Sequence, residues 1–207
     1  MRRRTTLATT VAAVLALLVT ALAVGVTTPA TAARVWVDAA DIADTGDQVT
    51  QVQLGDVSDG ASTAVAWVDS ATRDVVLSQR PRGGAWSAPV VVATPATDPT
   101  IHGVGWVKDG VVGVTYSAAG DLVVAGLDSQ NQAVAPVNLS TTVLPDTVSN
   151  RGGWLFWAET VGADQQLVRS TPDGGNRAVV QAPSTVSYLE TVLAYDDYGF
   201  TYGWISQ

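Results

Sequence analysis

At 207 residues the chain is long enough for one domain with a real core, and the lack of any cysteine excludes disulfides, thiolate chemistry and cysteine-based metal sites. All 19 acidic residues but only 8 of the 11 basic ones follow position 32, which leaves that part with a net charge of −11. Such a surface lacks the basic footprint that nucleic acid or anionic lipid requires, and excludes both as main partners.

The first element is an export signal. Arg2, Arg3 and Arg4 form a compact positive start, and residues 7–26 (LATTVAAVLALLVTALAVGV) carry no charge. Ala30-Thr31-Ala32 then fits a small-x-small cleavage pattern. The pattern predicts a signal peptide over 1–32, cleaved after Ala32 or one residue later, and an exported domain over 33–207. The alternative is an uncleaved anchor, because about 20 apolar residues can span a bilayer. Both readings place the domain outside. Arg3-Arg4 also admits a twin-arginine route.

Next comes an acidic stretch in which Asp38, Asp41, Asp44 and Asp47 recur every third residue. Clustered carboxylates are the ligand type calcium takes, but this spacing is not that of a calcium loop, and a solvated acidic linker is the expected role. On either side, residues 34–40 (RVWVDAA) echo residues 66–71 (AWVDSA), and residues 49–55 (VTQVQLG) read as extended chain.

From there on the chain is strand-like. Runs such as TAVAWV (63–68), DVVLSQ (74–79), SAPVVVA (87–93), VVGVTYS (111–117), DLVVAGL (121–127), GWLFWAE (153–159), QQLVRS (165–170) and GFTYGWI (199–205) are rich in Val, Trp, Tyr and Thr. Turn dipeptides separate them: Asp59-Gly60, Asp109-Gly110, Gly120-Asp121 and Asp173-Gly174. Several runs are apolar on both faces, as in Val65, Ala66, Trp67 and Val68, which suits a strand held between two layers.

The turns recur in register. Gly60, Gly110, Gly153 and Gly199 each precede an aromatic-ended strand, at intervals of 50, 43 and 46. Trp67, Tyr116, Trp157 and Trp204 follow at intervals of 49, 41 and 47. After each of the first three come another strand, a polar turn and a fourth strand. A unit of four short antiparallel strands in roughly 45 residues is the size of a propeller blade. The expected fold is therefore all-β and β-propeller-like, with about four blades. Three full units and a two-strand remainder make about fourteen strands. The last blade is then either incomplete, the chain being a fragment of a longer propeller, or closed by the N-terminal strand.

The turn between third and fourth strands carries a resemblance. Thr171-Pro172-Asp173-Gly174-Gly175 resembles the Asp-box (BNR) turn, S/T-x-D-x-G-x-x-W, of sialidase-like propellers. In unit one Gly83 and Trp86 occupy the glycine and tryptophan places, and RPRGGAWSAP is similar to a phrase repeated in secreted actinobacterial propeller-like proteins. Gln79 and Pro81 depart from the pattern, as do Ala178 in unit three and Asn131 and Val134 in unit two. The resemblance covers roughly residues 55–205, and it implies a structural turn and a propeller, not catalysis.

No constellation demands a particular chemistry. His102 is the sole histidine and lies in PTIHGVGW, which has no nucleophile-elbow pattern, so a structural role is expected. Glycoside hydrolysis needs paired carboxylates, or a tyrosine with an acid partner. The candidates are Glu159, Glu190 near Tyr188, and Asp196-Asp197 beside Tyr195 and Tyr198. The three-arginine clamp of a sialidase would have to come from Arg73, Arg80, Arg82, Arg151, Arg169 and Arg177, which fall mostly at turns or strand ends. Trp36, Trp67, Trp86, Trp106, Trp154, Trp157 and Trp204 suit packing between blades better than sugar stacking. Asn138-Leu139-Ser140 is a formal glycosylation sequon. The sequence thus assigns no catalytic, metal or cofactor residue. It predicts a secreted binding or scaffold domain for a protein or glycan ligand, with a degenerate or truncated sialidase-like hydrolase and a structural cell-surface protein as the alternatives.

Overall fold

The computed structural model describes residues 49–56, 62–196 and 199–207, all within the unit Asp41–Gln207. Among the described residues, fourteen strands fall into four antiparallel sheets. Sheet 1 holds β1 (Val49–Asp56), β2 (Ser62–Asp69), β3 (Val75–Pro81) and β4 (Val90–Ala93), in that order. Sheet 2 holds β5 (Thr100–Lys108), β6 (Val111–Ala118), β7 (Asp121–Leu127) and β8 (Ala133–Ser140). Sheet 3 holds β9 (Ser149–Arg151), β10 (Trp154–Val161), β11 (Asp164–Ser170) and β12 (Ala178–Ser184). Sheet 4 holds β13 (Tyr188–Asp196) and β14 (Gly199–Ser206). Sheets 1 to 3 are four-stranded meanders and sheet 4 is a hairpin among the described residues, so the fold is all-β and propeller-like with roughly four-stranded blades, as the repeat predicts.

The reason lies in the two-sided strands. In β2 the run Ala64–Val68 is buried throughout, as is Val111–Ser117 in β6. Alternate residues serve different neighbours. Ala64, Ala66 and Val68, with Val75 and Leu77 of β3, pack against Ile101, Val114, Tyr116 and Leu127 of sheet 2. The other face of sheet 2, with Leu122, Val124 and Leu139, packs against Leu155, Trp157 and Val168 of sheet 3. Phe156, Ala158 and Leu167 face the opposite way, toward Tyr188 of sheet 4. Each large aliphatic or aromatic side chain buried in this way contributes about 1.5–3 kcal/mol.

The first strands of successive sheets converge. A Cβ added at Gly55 would collide with the Val104 carbonyl, and one added at Gly103 would sit 2.9 Å from Asn150 Nδ2. Gln51, at a bulge in β1, accepts from Ile101 N–H at 2.9 Å and donates to the Pro99 carbonyl at 2.7 Å. Ser149 of β9 donates to the Thr191 carbonyl of β13 at 2.6 Å. Polar clamps at the first strands and apolar faces between the sheets therefore hold the sheets in series.

The expected turns hold where they are described: Gly110, Gly120 and Gly174 all take positive φ. Asp59-Gly60 lies outside the described residues. So do the signal peptide, the strand 34–40 that would close the last blade, and Asp38, Asp41, Asp44 and Asp47. No described helix is long and apolar enough to cross a membrane.

Candidate functional site

Among the described residues, two of the clefts that open between sheets bear on function. The larger, about 590 Å³, lies between sheets 2 and 3. Asn138, Ser140 and Thr142 line it from the end of β8 and the loop after it, and Glu159 and Thr160 from β10. Thr142 ties its wall together, donating Oγ1 to the Thr160 carbonyl at 2.8 Å and accepting the Thr160 N–H at 3.0 Å.

Glu159 alternates inward with Leu155 and Trp157, and at 5% exposure its carboxylate has lost most of its contact with solvent. Protein donors solvate the charge instead. Oε2 accepts from Ser140 Oγ at 2.7 Å and Trp157 Nε1 at 3.1 Å. Oε1 accepts from Gln166 Nε2 at 2.7 Å and an Arg177 guanidinium nitrogen at 2.5 Å. Burial pushes the carboxyl pKa up, but the bonds from Ser140, Gln166, Trp157 and Arg177 outweigh it and hold the pKa below the ordinary value. A carboxylate with every acceptor site filled and a depressed pKa is poorly placed to donate a proton to a glycosidic oxygen. Arg177 also stands 6.0 Å from the Trp157 ring centroid.

Among the described side chains, the other hydrolase candidates do not converge. Tyr188 is buried against sheet 3 whereas Glu190 is exposed, the two being separated by a bulge in β13. The side chains of Tyr195, Asp196, Asp197 and Tyr198 lie outside the described residues. The arginines are dispersed. Arg80 stacks on Trp86 at 5.1 Å and Arg169 on Trp154 at 5.2 Å, each within its own sheet. Arg73 occupies the β2–β3 turn, Arg82 follows β3 and Arg151 ends β9.

His102 sits at a bulge in β5, with Nε2 2.8 Å from the Ser117 hydroxyl. Burial lowers its pKa to about 4 against a smaller opposing effect of Asp146, so the ring is neutral at pH 7. Ser117 is only 2% exposed, which denies it to a substrate. Among the described residues no group of carboxylates or histidines is arranged to hold a metal ion.

The Thr171–Gly175 turn is closed from within. Thr171 Oγ1 donates at 2.6 Å to Asp173 Oδ1, which also accepts the Gly175 N–H at 3.0 Å. The Thr171 N–H bonds the Gly175 carbonyl at 2.9 Å. Asp173 has its pKa lowered, chiefly by the Thr171 hydroxyl and then by the Gly175 N–H.

Tryptophan roles divide. Trp67 and Trp157 are buried, as packing between blades requires. Trp106 and Trp204 are corrections to that expectation, at 36% and 44% exposure. Trp204 lies in the two-stranded sheet 4. Trp106 lines the second cleft, about 200 Å³ between sheets 1 and 2, with Ser62, Gln79, Pro81, Val111 and Ser129. Sequence reasoning missed this cleft because its walls come from the ends of separate strands.

No protein-family model matches the chain, and no curated protein is significantly similar to it. Among solved structures it is similar to one from an analysis of two prolyl endopeptidases, with 15% identity, a TM-score of 0.42 and 68% of this chain covered. It is also similar to a chain of a nidogen/laminin complex, at 16% identity, TM-score 0.40 and 72% coverage. A third is a xylan β-1,4-xylosidase from Bacillus halodurans C-125, at 13% identity, TM-score 0.43 and 76% coverage. The chain spans 21%, 53% and 37% of those chains respectively.

Proposed function

We propose that this chain is an exported, non-enzymatic binding domain that recognises a protein or glycan through clefts between its blades. The observation that carries the reading is the saturation of Glu159. The carboxylate best placed in the larger cleft is committed to four protein donors, and its bonds join sheets 2 and 3. The divergence of Tyr188 from Glu190 and the dispersal of the arginines support it further. The strongly acidic composition favours partners other than nucleic acid. The internal bonding of the Thr171–Gly175 turn supports relating the chain to Asp-box propellers by ancestry of fold, since the turn serves structure.

The test pairs a fluorogenic glycoside panel with glycan and protein arrays. Binding without turnover is expected. Turnover that disappears in Glu159→Gln would overturn the reading in favour of a hydrolase. Export is tested by mass spectrometry of secreted protein, where a chain beginning just after Ala32 is expected and an intact Met1 would sink the cleavage proposal.

A further inference from the structure

The smaller cleft has an unusual inventory. Trp106 lines it while 36% exposed, in a protein whose Trp67 and Trp157 are fully packed. Val111 and Pro81 extend the apolar lining. The polar groups beside them are idle: the Trp106 indole N–H and the hydroxyls of Ser62 and Ser129 bond to no described residue. Gln79 is fixed by donating Nε2 to the Asp128 carbonyl at 2.8 Å, which leaves its Oε1 as an acceptor. Among the described residues no charged side chain lines the cleft.

Size and chemistry narrow the occupant. At about 200 Å³ the space is below the ~300–1,000 Å³ of sites that enclose a drug-sized ligand, so it takes one ring rather than an extended molecule. An indole surface beside free hydroxyl, amide and N–H groups matches a ligand with one apolar face and a rim of hydroxyls. An apolar peptide side chain would fill the volume but strand those polar groups without partners, which is costly. The lack of a cation among the described lining residues disfavours a carboxylated or sulfated sugar.

We propose that the cleft between sheets 1 and 2, lined by Trp106, binds a single ring of a neutral sugar. This rests on the binding reading above and names one ligand class and one place for it.

The test uses the full exported chain on an array of neutral, sialylated and sulfated glycans, followed by fluorescence titration with the methyl glycoside of the best neutral hit. Neutral glycans are expected to bind. Trp106→Ala is expected to weaken the hit about tenfold or more, and Trp106→Phe, which keeps an aromatic face and guards against misfolding, only a few-fold. Ser129→Ala is expected to fall between, with an unchanged melting temperature. Three results would overturn the proposal: no neutral glycan bound, a preference for sialylated glycans, or a hit whose affinity is the same in Trp106→Ala. The last would leave the binding domain standing and remove only this site. Glycoside turnover would remove the non-enzymatic reading while leaving the Trp106 titration to be judged alone.

Discussion

Glu159 joins two sheets through its hydrogen bonds. Its four bonds hold a buried charge whose loss would strand Arg177, Gln166, Ser140 and Trp157 together. Glu159→Gln is expected to cost about 2–4 kcal/mol in urea unfolding. Arg177→Ala should cost about 1 kcal/mol or less, because its side chain is 40% exposed and water replaces part of the pair. The reverse order would refute the joint. Two groups also set the acid response. Glu159 has a lowered pKa, so its contribution is present above the ordinary carboxylate range and is lost as pH falls through the depressed value. His102 has its pKa lowered from 6.5 to about 4, so the unfolded chain binds the proton more readily between those values. That contribution is complete above pH 6.5 and drains as pH falls toward 4, by about 3 kcal/mol at most. Urea midpoints at pH 7 and pH 5 should diverge in the parent and draw together in His102→Gln.

Successive sheets are joined by two devices at the level of elements, apolar faces and polar clamps at the first strands. The faces were legible in runs such as Val65–Val68, where apolar residues on both sides of a strand leave no side for water. The clamps were not legible, because a glutamine that caps two backbone groups 48 and 50 residues away looks like any polar residue in its own strand. Gln51→Ala is expected to cost about 1–2 kcal/mol by leaving the Ile101 N–H and Pro99 carbonyl unpaired. Gly55→Ala should cost about 1–3 kcal/mol, since its methyl group would meet the Val104 backbone, which cannot rotate aside as a side chain would. Thermal denaturation of both variants checks the pair; a neutral Gly55→Ala would mean that β1 and β5 are not held in close approach.

For the molecule as a whole, the open question is the last blade. Among the described residues β14 has one partner, β13, and Trp204 and Ile205 stay exposed at 44% and 54%. A strand edge of this kind, carrying apolar side chains and no charge, is a template for pairing. Ile205→Lys is therefore expected to reduce self-association in multi-angle light scattering while leaving the melting temperature within a few degrees. Unchanged association would show that the edge is already satisfied.

What the sequence determined by itself is the repeat. Turn glycines and aromatic-ended strands recur because each blade must reverse the chain at the same place and bury both faces, and such local demands mark every unit. Tertiary structure alone decided which side chains meet. Glu159 reads as a possible acid from its neighbourhood in β10, yet the groups that bond it include Ser140 from another sheet and Arg177 from beyond a turn. Trp106 was assigned to packing by its strand pattern, and only the way sheets 1 and 2 approach left it facing a cleft. Periodicity records the burial each strand needs; it carries no record of the neighbour that supplies it.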